Sequence, residues 1–268
     1  MKTPPLPAAL VTGACSGIGR EIARRLAVRG DHALVLVSEN RERLDVVARE
    51  VFAAHGTLVH PIVCDLARPE SAGELHAAVR ALGVDVDVLV ANAGTFFFGE
   101  VADADPARAN TMLQLHVVTP SLLCTRFARD MRARRRGRIM LTSSISAWRA
   151  FPGIAYYGGT KTYLRTFAAA LRSELAPYGV TVTTLAPGAT DTGLYDPTVV
   201  DMDRARRFGV MMDPGKVADA ALRAMFSGKA ECVPGAFNRF ATIAMRLVPQ
   251  RVIDLVRRRA PWLPVRVG

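Results

Sequence analysis

The chain has 268 residues, 50% hydrophobic and 22% charged, which excludes disordered and fibrous architectures and suits one large α/β domain better than two small ones. No apolar run reaches the roughly 18 residues of a membrane span. The start MKTPPLP lacks the apolar core of a secretory signal, and four scattered cysteines without a C-x-x-C argue against a disulfide framework and against a metal site. Basic residues exceed acidic ones by 11, and the excess is local. Residues 129–138 hold six arginines and one aspartate, residues 239–268 seven arginines and one aspartate, and the remaining body is neutral. That distribution argues against nucleic-acid binding, which calls for a basic face interleaved with aromatics. A soluble, cytoplasmic protein of a reducing compartment is expected.

Short apolar runs alternate with amphipathic stretches from the start. AALVT (8–12) reads as a buried strand, and 18–30 as a helix closed by Gly30. A strand over 32–37, a helix over 41–55, a strand over 58–63 and a helix over 70–82 follow. Residues 86–94 form a fourth strand ending in a glycine turn, 107–135 one long helix, and 138–144 a fifth strand. A helix over 157–178, a strand over 180–188, a helix over 214–226 and a short strand near 231–233 complete the pattern. Strands that are apolar throughout and alternate with helices predict a single doubly wound Rossmann-type α/β domain, its parallel sheet of about seven strands covered on both faces. The division expected is a dinucleotide-binding catalytic domain over 1–235 and a basic amphipathic helical extension over 236–268.

The first strand runs into Thr12-Gly13-Ala14-Cys15-Ser16-Gly17-Ile18-Gly19, which opens the first helix. Glycines there let the backbone approach a pyrophosphate, whose charge the helix N-terminus stabilises. A glycine-rich turn alone is weak evidence, and a tight strand–helix connection is the bland alternative. The spacing is T-G-x-x-x-G-x-G, and further motifs follow in order: Asp65-Leu66 after strand three, Asn92-Ala93-Gly94 after strand four, Ser143-Ser144 after strand five. Tyr157-x-x-x-Lys161 and Pro187-Gly188-x-Thr190-x-Thr192 come next. Over residues 8–192 the chain resembles the classical short-chain dehydrogenase/reductase family. The resemblance implies an NAD(P)-dependent oxidoreductase that moves a hydride between the cofactor and a secondary alcohol or ketone, as a homodimer or homotetramer. It assigns the cofactor to Gly13, Ser16, Gly17, Ile18, Gly19, Asp65, Leu66, Asn92, Ala93, Gly94, Pro187, Gly188, Thr190 and Thr192, together with Tyr157 and Lys161.

Tyr157 and Lys161, four residues apart, share one helix face. A phenol is a poor base at neutral pH, and an adjacent ammonium stabilises its phenolate and brings it into the range of a general acid/base. Ser144, thirteen residues earlier, has the family's spacing for holding the substrate oxygen. Where the family carries an asparagine that anchors a water next to the lysine, this chain has His116, which either replaces that relay or simply packs and binds the backbone. His116 is also the only support for the alternative, a non-catalytic dinucleotide-binding sensor or scaffold. After strand two the chain reads Val37-Ser38-Glu39-Asn40-Arg41, and a carboxylate at Glu39 disfavours a 2′-phosphate, so NAD is favoured over NADP.

The expected substrate loop, 193–213, holds Leu194, Tyr195, Val199, Val200, Phe208, Val210, Met211 and Met212. Together with Phe96, Phe97 and Phe98 it suits an apolar alcohol or ketone. In the tail, Phe237, Phe240, Ala241, Ala244, Leu247 and Val248 recur at helical spacing, and Pro249 restarts a helix accompanied by Arg246, Arg251, Arg257, Arg258 and Arg259. Such a tail packs on the domain, joins subunits, or touches an anionic membrane peripherally. The cluster at 129–138 reads as a solvated helix–strand turn.

Overall fold

The computed structural model describes residues 6–194 and 211–259, with the side chains of 256–259 outside the description. Seven strands form one sheet: β1 (Ala8–Thr12), β2 (Ala33–Ser38), β3 (Val59–Val63), β4 (Val86–Ala91), β5 (Gly137–Thr142), β6 (Val180–Leu185) and β7 (Glu231–Cys232). Their order is β3-β2-β1-β4-β5-β6-β7 and every pairing is parallel, so the order reverses between β1 and β4. In an open parallel sheet, ligands bind at that reversal, beyond the carboxyl ends of the strands. The central strands β1, β2 and β4 are buried throughout, which explains their uninterrupted apolar sequence. The edge strand β3 is half exposed and tolerates Pro61.

Two cores result. Helices α1 (Gly17–Arg29) and α2 (Arg41–His55) cover one face together with the helix Pro214–Phe226. On the other face lie α3 (Ser71–Ala81), the helix Thr119–Arg134 and the helix Ala155–Leu175. Local chemistry sets several ends. Gly30 closes α1 in the left-handed conformation at φ 68°, and the Asn40 side chain caps α2 by accepting from Arg43 N–H at 2.9 Å.

The stretch 107–135 is not one helix. Here α4 (Pro106–Leu113) passes through a π-helical turn (Gln114–Val118) into α5 (Thr119–Arg134), with Thr119 N–H bonded to Gln114 O. Pro120 has no N–H for the carbonyl of His116 four residues back, so the regular ladder breaks there and the chain widens by one residue. Strand β4 ends at Ala91 and β5 at Thr142, which leaves Asn92–Gly94 and Ser143–Ser144 free as turns beyond the sheet. Helix α6 (Ala155–Leu175) begins before Tyr157, and a 3-10 turn (Ala176–Tyr178) follows it. The last helices are α7 (Pro214–Phe226), α8 (Ala236–Leu247) and α9 (Gln250–Arg259).

The arginine cluster of 129–138 is bonded rather than merely solvated. Arg134 donates to Val86 O at 2.8 Å and pairs with Asp85 at 3.2 Å, and Arg136 pairs with Asp87 at 3.1 Å. The end of α5 is thus fastened to the start of β4.

Candidate active site

Thr12, the last residue of β1, fastens the two turns at the sheet reversal. Its hydroxyl donates to Val90 O at 3.3 Å and accepts from the N–H groups of Asn92 and Ala93 at 2.9 and 3.0 Å. The Asn92 amide returns a bond to Thr12 O at 3.2 Å. Gly13 and Gly17 sit at φ 65° and 50°, where a side chain would be strained. A Cβ on Gly19 would strike the Gly13 carbonyl and lie 2.7 Å from the Asn92 amide, so this glycine permits the close packing of turn on turn. Ser16 makes no side-chain cap to α1, and the first turn of α1 carries no acid. That leaves N–H groups and the positive end of the helix dipole open towards an anion.

A cleft of about 240 Å³ opens there. One wall is the glycine turn with Gly13, Ser16, Gly17 and Ile18; a second is Asn92, Ala93, Gly94 and Thr95. Pro187, Gly188, Thr190, Thr192, Gly193 and Leu194 close it from the end of β6, and Thr142, Ser143, His116, Tyr157 and Lys161 form its far end. A dinucleotide fits what these residues offer: backbone cradles without Cβ atoms and an uncapped helix N-terminus for a pyrophosphate.

At the far end, Lys161 is 4% exposed, and its Nζ lies 5.4 Å from the centre of the Tyr157 ring while donating to Thr142 O at 3.0 Å. Burial pulls this lysine down from 10.5 to about 7. Phe96 meets the Tyr157 ring edge-on at 4.8 Å, and Phe98 meets Phe96 at 4.6 Å, an aromatic cluster beside this end of the cleft. The two serines divide. Ser143 lines the cleft but its hydroxyl donates to Lys161 O at 2.7 Å. Ser144 is buried beside the cleft wall, not in it; its oxygen accepts from Ser146 N–H at 3.2 Å, which leaves its own hydroxyl proton to donate.

His116 lies in the π-helical turn, 1% exposed. Its Nε2 faces the Thr95 N–H at 2.9 Å and must accept, so Nδ1 carries the proton and donates to Thr160 Oγ1 at 3.0 Å. Thr160 in turn donates to the carbonyl of Tyr157 at 2.8 Å. Burial first, and the Lys161 charge second, hold the imidazole well below its usual range, so it stays neutral. Both nitrogens therefore serve a bracket between the loop at Thr95 and α6.

The remaining expected residues lie outside the cleft. Glu39 is exposed at the end of β2, beside the glycine turn because Ala14 N–H bonds Val37 O at 3.1 Å. Asp65 is exposed and its carboxylate accepts from Ala67 N–H at 2.9 Å; Leu66 is buried behind the wall, its carbonyl taking a bond from Thr119. Tyr195, Val199, Val200, Phe208 and Val210 lie outside the described residues. Sequence reasoning missed Thr12, Thr142 and Thr160. Of these only Thr12, placed before the first glycine, carried a signal in its residue type. Among the described residues no three His, Cys, Asp or Glu side chains are grouped to hold a metal, and no helix is long and apolar enough to cross a membrane.

A family model described as short chain dehydrogenase matches residues 7–202. An oxidoreductase of Bacillus subtilis (strain 168), YmfI, is 30% identical over 231 residues, covering 85% of this chain and 94% of that one. Dehydrogenase/reductase SDR family member 4 of Sus scrofa is 34% identical over 200 residues, covering 74% and 70%. Among solved structures, a short-chain dehydrogenase from Sphingobium yanoikuyae in complex with NADPH aligns with a TM-score of 0.76 at 25% identity, covering 93% of this chain and 96% of that one. The bulky-bulky ketone specific alcohol dehydrogenase from Comamonas testosteroni aligns with a TM-score of 0.76 at 26% identity, covering 99% and 97%.

Proposed function

The chain belongs to the short-chain dehydrogenase family and is an NAD(P)-dependent oxidoreductase of alcohol and ketone groups; from that premise we propose that it interconverts an apolar secondary alcohol and its ketone with NAD(H), through Tyr157, Lys161 and Ser144. The observation that carries the reading is the meeting of Tyr157 with buried Lys161 at one end of a cleft whose other end is the glycine turn.

The nicotinamide cofactor, when bound, supplies or accepts the hydride. The chain's own groups handle the proton and the orientation. In oxidation, the Tyr157 oxygen takes the alcohol proton; in reduction, its hydroxyl returns a proton to the carbonyl oxygen. The Lys161 ammonium favours the phenolate by its charge, and the loss of water from its surroundings strengthens that influence. The Ser144 hydroxyl proton holds the substrate oxygen. His116 supports this group from behind, fixing α6 through Thr160, and so accounts for itself without a non-catalytic role for the fold.

The apolar class of substrate rests on Phe96 and Phe98 against Tyr157 and on Leu194 in the cleft wall. The bulky ketone named for the Comamonas testosteroni enzyme points the same way. For the cofactor, Glu39 stands where relatives that bind a 2′-phosphate carry a cation; of the two arginines nearby, Arg20 beside the glycine turn is bonded to Glu50 at 2.8 Å, and Arg41 is exposed in the first turn of α2. The NADPH of the Sphingobium yanoikuyae complex belongs to that protein; the choice here is local to Glu39.

Following absorbance at 340 nm with both cofactors and a panel of bulky ketones and alcohols tests the reaction. Titration should show NADH binding more tightly than NADPH, and Glu39→Arg should reverse the preference by about tenfold or more through one charge-assisted contact. Unmodified protein that prefers NADPH overturns the NAD assignment.

A further inference from the structure

Helix α8 faces the wrong way for a helix whose apolar stripe packs on its domain. Its two buried residues are polar, with Ala241, Ala244 and Met245 half-buried beside them: Asn238 donates to Pro234 O at 3.0 Å and Thr242 to Arg239 O at 2.8 Å. On the opposite side stand Phe237, Phe240, Ile243 and Leu247, exposed to 73%, 70%, 58% and 79%. At 3.6 residues per turn these four form one stripe and the two polar residues the other. Helix α9 adds Val252 and Leu255, each close to half exposed. Arg239, Arg246 and Arg251 are exposed alongside, and the sequence puts three further arginines in the last turn of α9, against Asp254 as the single acid of 236–259.

We propose that α8 and α9 are a docking surface for an anionic lipid bilayer, with the apolar stripe seated at the acyl boundary and the arginines among headgroup phosphates. An apolar stripe with basic flanks and few acids is the pattern that such interfaces bind. The domain is not the occupant, because the inward face of α8 is already filled by Asn238 and Thr242. A second copy is disfavoured by charge: a two-fold contact sets the same patch against itself, so the arginine-rich flanks would oppose each other with little acid between them. Docking has a consequence for the cleft. The Asn238 amide fills the space where a Cβ on Gly188 would lie, and Gly188 belongs to the cleft wall. Gln250 at the start of α9 bonds Ala150 O at 3.3 Å, in the segment that follows Ser144. A docked α8 therefore brings the cleft beside the membrane, where apolar substrates concentrate; the docking itself stands independently of the hydride-transfer reading.

Co-sedimentation of the full-length protein with vesicles of phosphatidylcholine containing about 30% phosphatidylglycerol tests the proposal. The protein should pellet at about 0.05 M salt, far less at about 0.5 M, and little with phosphatidylcholine alone. The double variant F237S/F240S should lose at least about tenfold in vesicle affinity, given the apolar area removed, while its melting temperature and cofactor binding stay unchanged. R239Q/R251Q, which leaves the apolar stripe intact, should lose several-fold and lose part of the salt dependence. Full-length protein that fails to pellet at low salt overturns the proposal, as does equal pelleting by F237S/F240S. Light scattering showing that F237S/F240S falls to a smaller oligomer, with no vesicle binding by the parent, would assign the stripe to a second copy and overturn it too.

Discussion

Helices α6 and α8 each carry an exception to the rule that a surface helix turns apolar groups inward and polar groups outward, and the two exceptions run in opposite directions. Helix α6 turns a lysine inward, with Lys161 4% exposed; α8 turns two phenylalanines outward, each at least 70% exposed. The difference lies in what meets the exception. In α6 the buried polar groups are bonded within the molecule, Lys161 to Thr142 O and Thr160 to both His116 and Tyr157 O. In α8 the apolar stripe meets solvent. An exception satisfied inside the fold marks a site prepared for chemistry, whereas one left open marks a surface prepared for contact.

The largest effect should come from the group that α6 presents to the cleft. Tyr157→Phe removes one hydroxyl and keeps the ring against Phe96, so cofactor affinity and melting temperature should hardly change. Turnover should fall by about 10³-fold, within the usual range for a proton-transfer group. Stopped-flow measurement of the hydride step, with a substrate from the ketone panel, reads this directly. A variant within a few-fold of the parent would mean that the inward polar set of α6 is structural, and the contrast with α8 would lose its meaning.

Much of this contrast can be read from residue order, and the rest follows from backbone events that residue types do not announce. The run AALVT, Gly30 at the end of α1 and the four-residue step from Tyr157 to Lys161 all carry their structure in local chemistry. The break between α4 and α5 is harder to see: Pro120 signals it, but a proline in the first turn of a helix is equally compatible with a fresh start. The partner of Lys161 is the carbonyl of Thr142, which any residue would supply. Spacing in the tail shows a stripe of Phe237, Phe240 and Leu247 but not its direction. Direction was settled by Asn238 and Thr242, whose burial depends on Pro234 and on the residues that α8 covers.

A smaller loss should follow when the support of α6 is weakened. His116→Ala leaves the Thr95 N–H without its acceptor and takes from Thr160 the bond it accepts, while the Thr160 bond to Tyr157 O remains; the orphaned donor costs about 1–3 kcal/mol. Turnover should drop about tenfold through a less well-held Tyr157, with KM for the cofactor little changed. The pH profile separates support from proton relay. With His116 neutral throughout, the limbs of the kcat/KM profile should stay where they are in the parent. Disappearance of a limb near neutrality would make the imidazole a proton carrier.

The finest test concerns how α6 bears its buried lysine. Burial takes Lys161 from 10.5 to about 7, so the unfolded chain keeps this proton to a higher pH than the folded protein does. Between about pH 7 and 10.5 the unfolded state binds more protons, and stability from this group rises with pH. Below pH 7 the folded protein carries the buried ammonium and the destabilisation is fully present. Lys161→Met removes the titration altogether. It also removes the bond to Thr142 O, which shifts the whole curve and leaves its slope alone. The melting temperature of the variant relative to the parent should therefore be most favourable near pH 6 and decline by roughly 5 °C towards pH 9. Calorimetric melts across that range measure the slope. Parallel curves would mean that Lys161 keeps its charge through neutrality, held by an anionic partner rather than by a carbonyl, and the internal compensation credited to α6 would then need a different source.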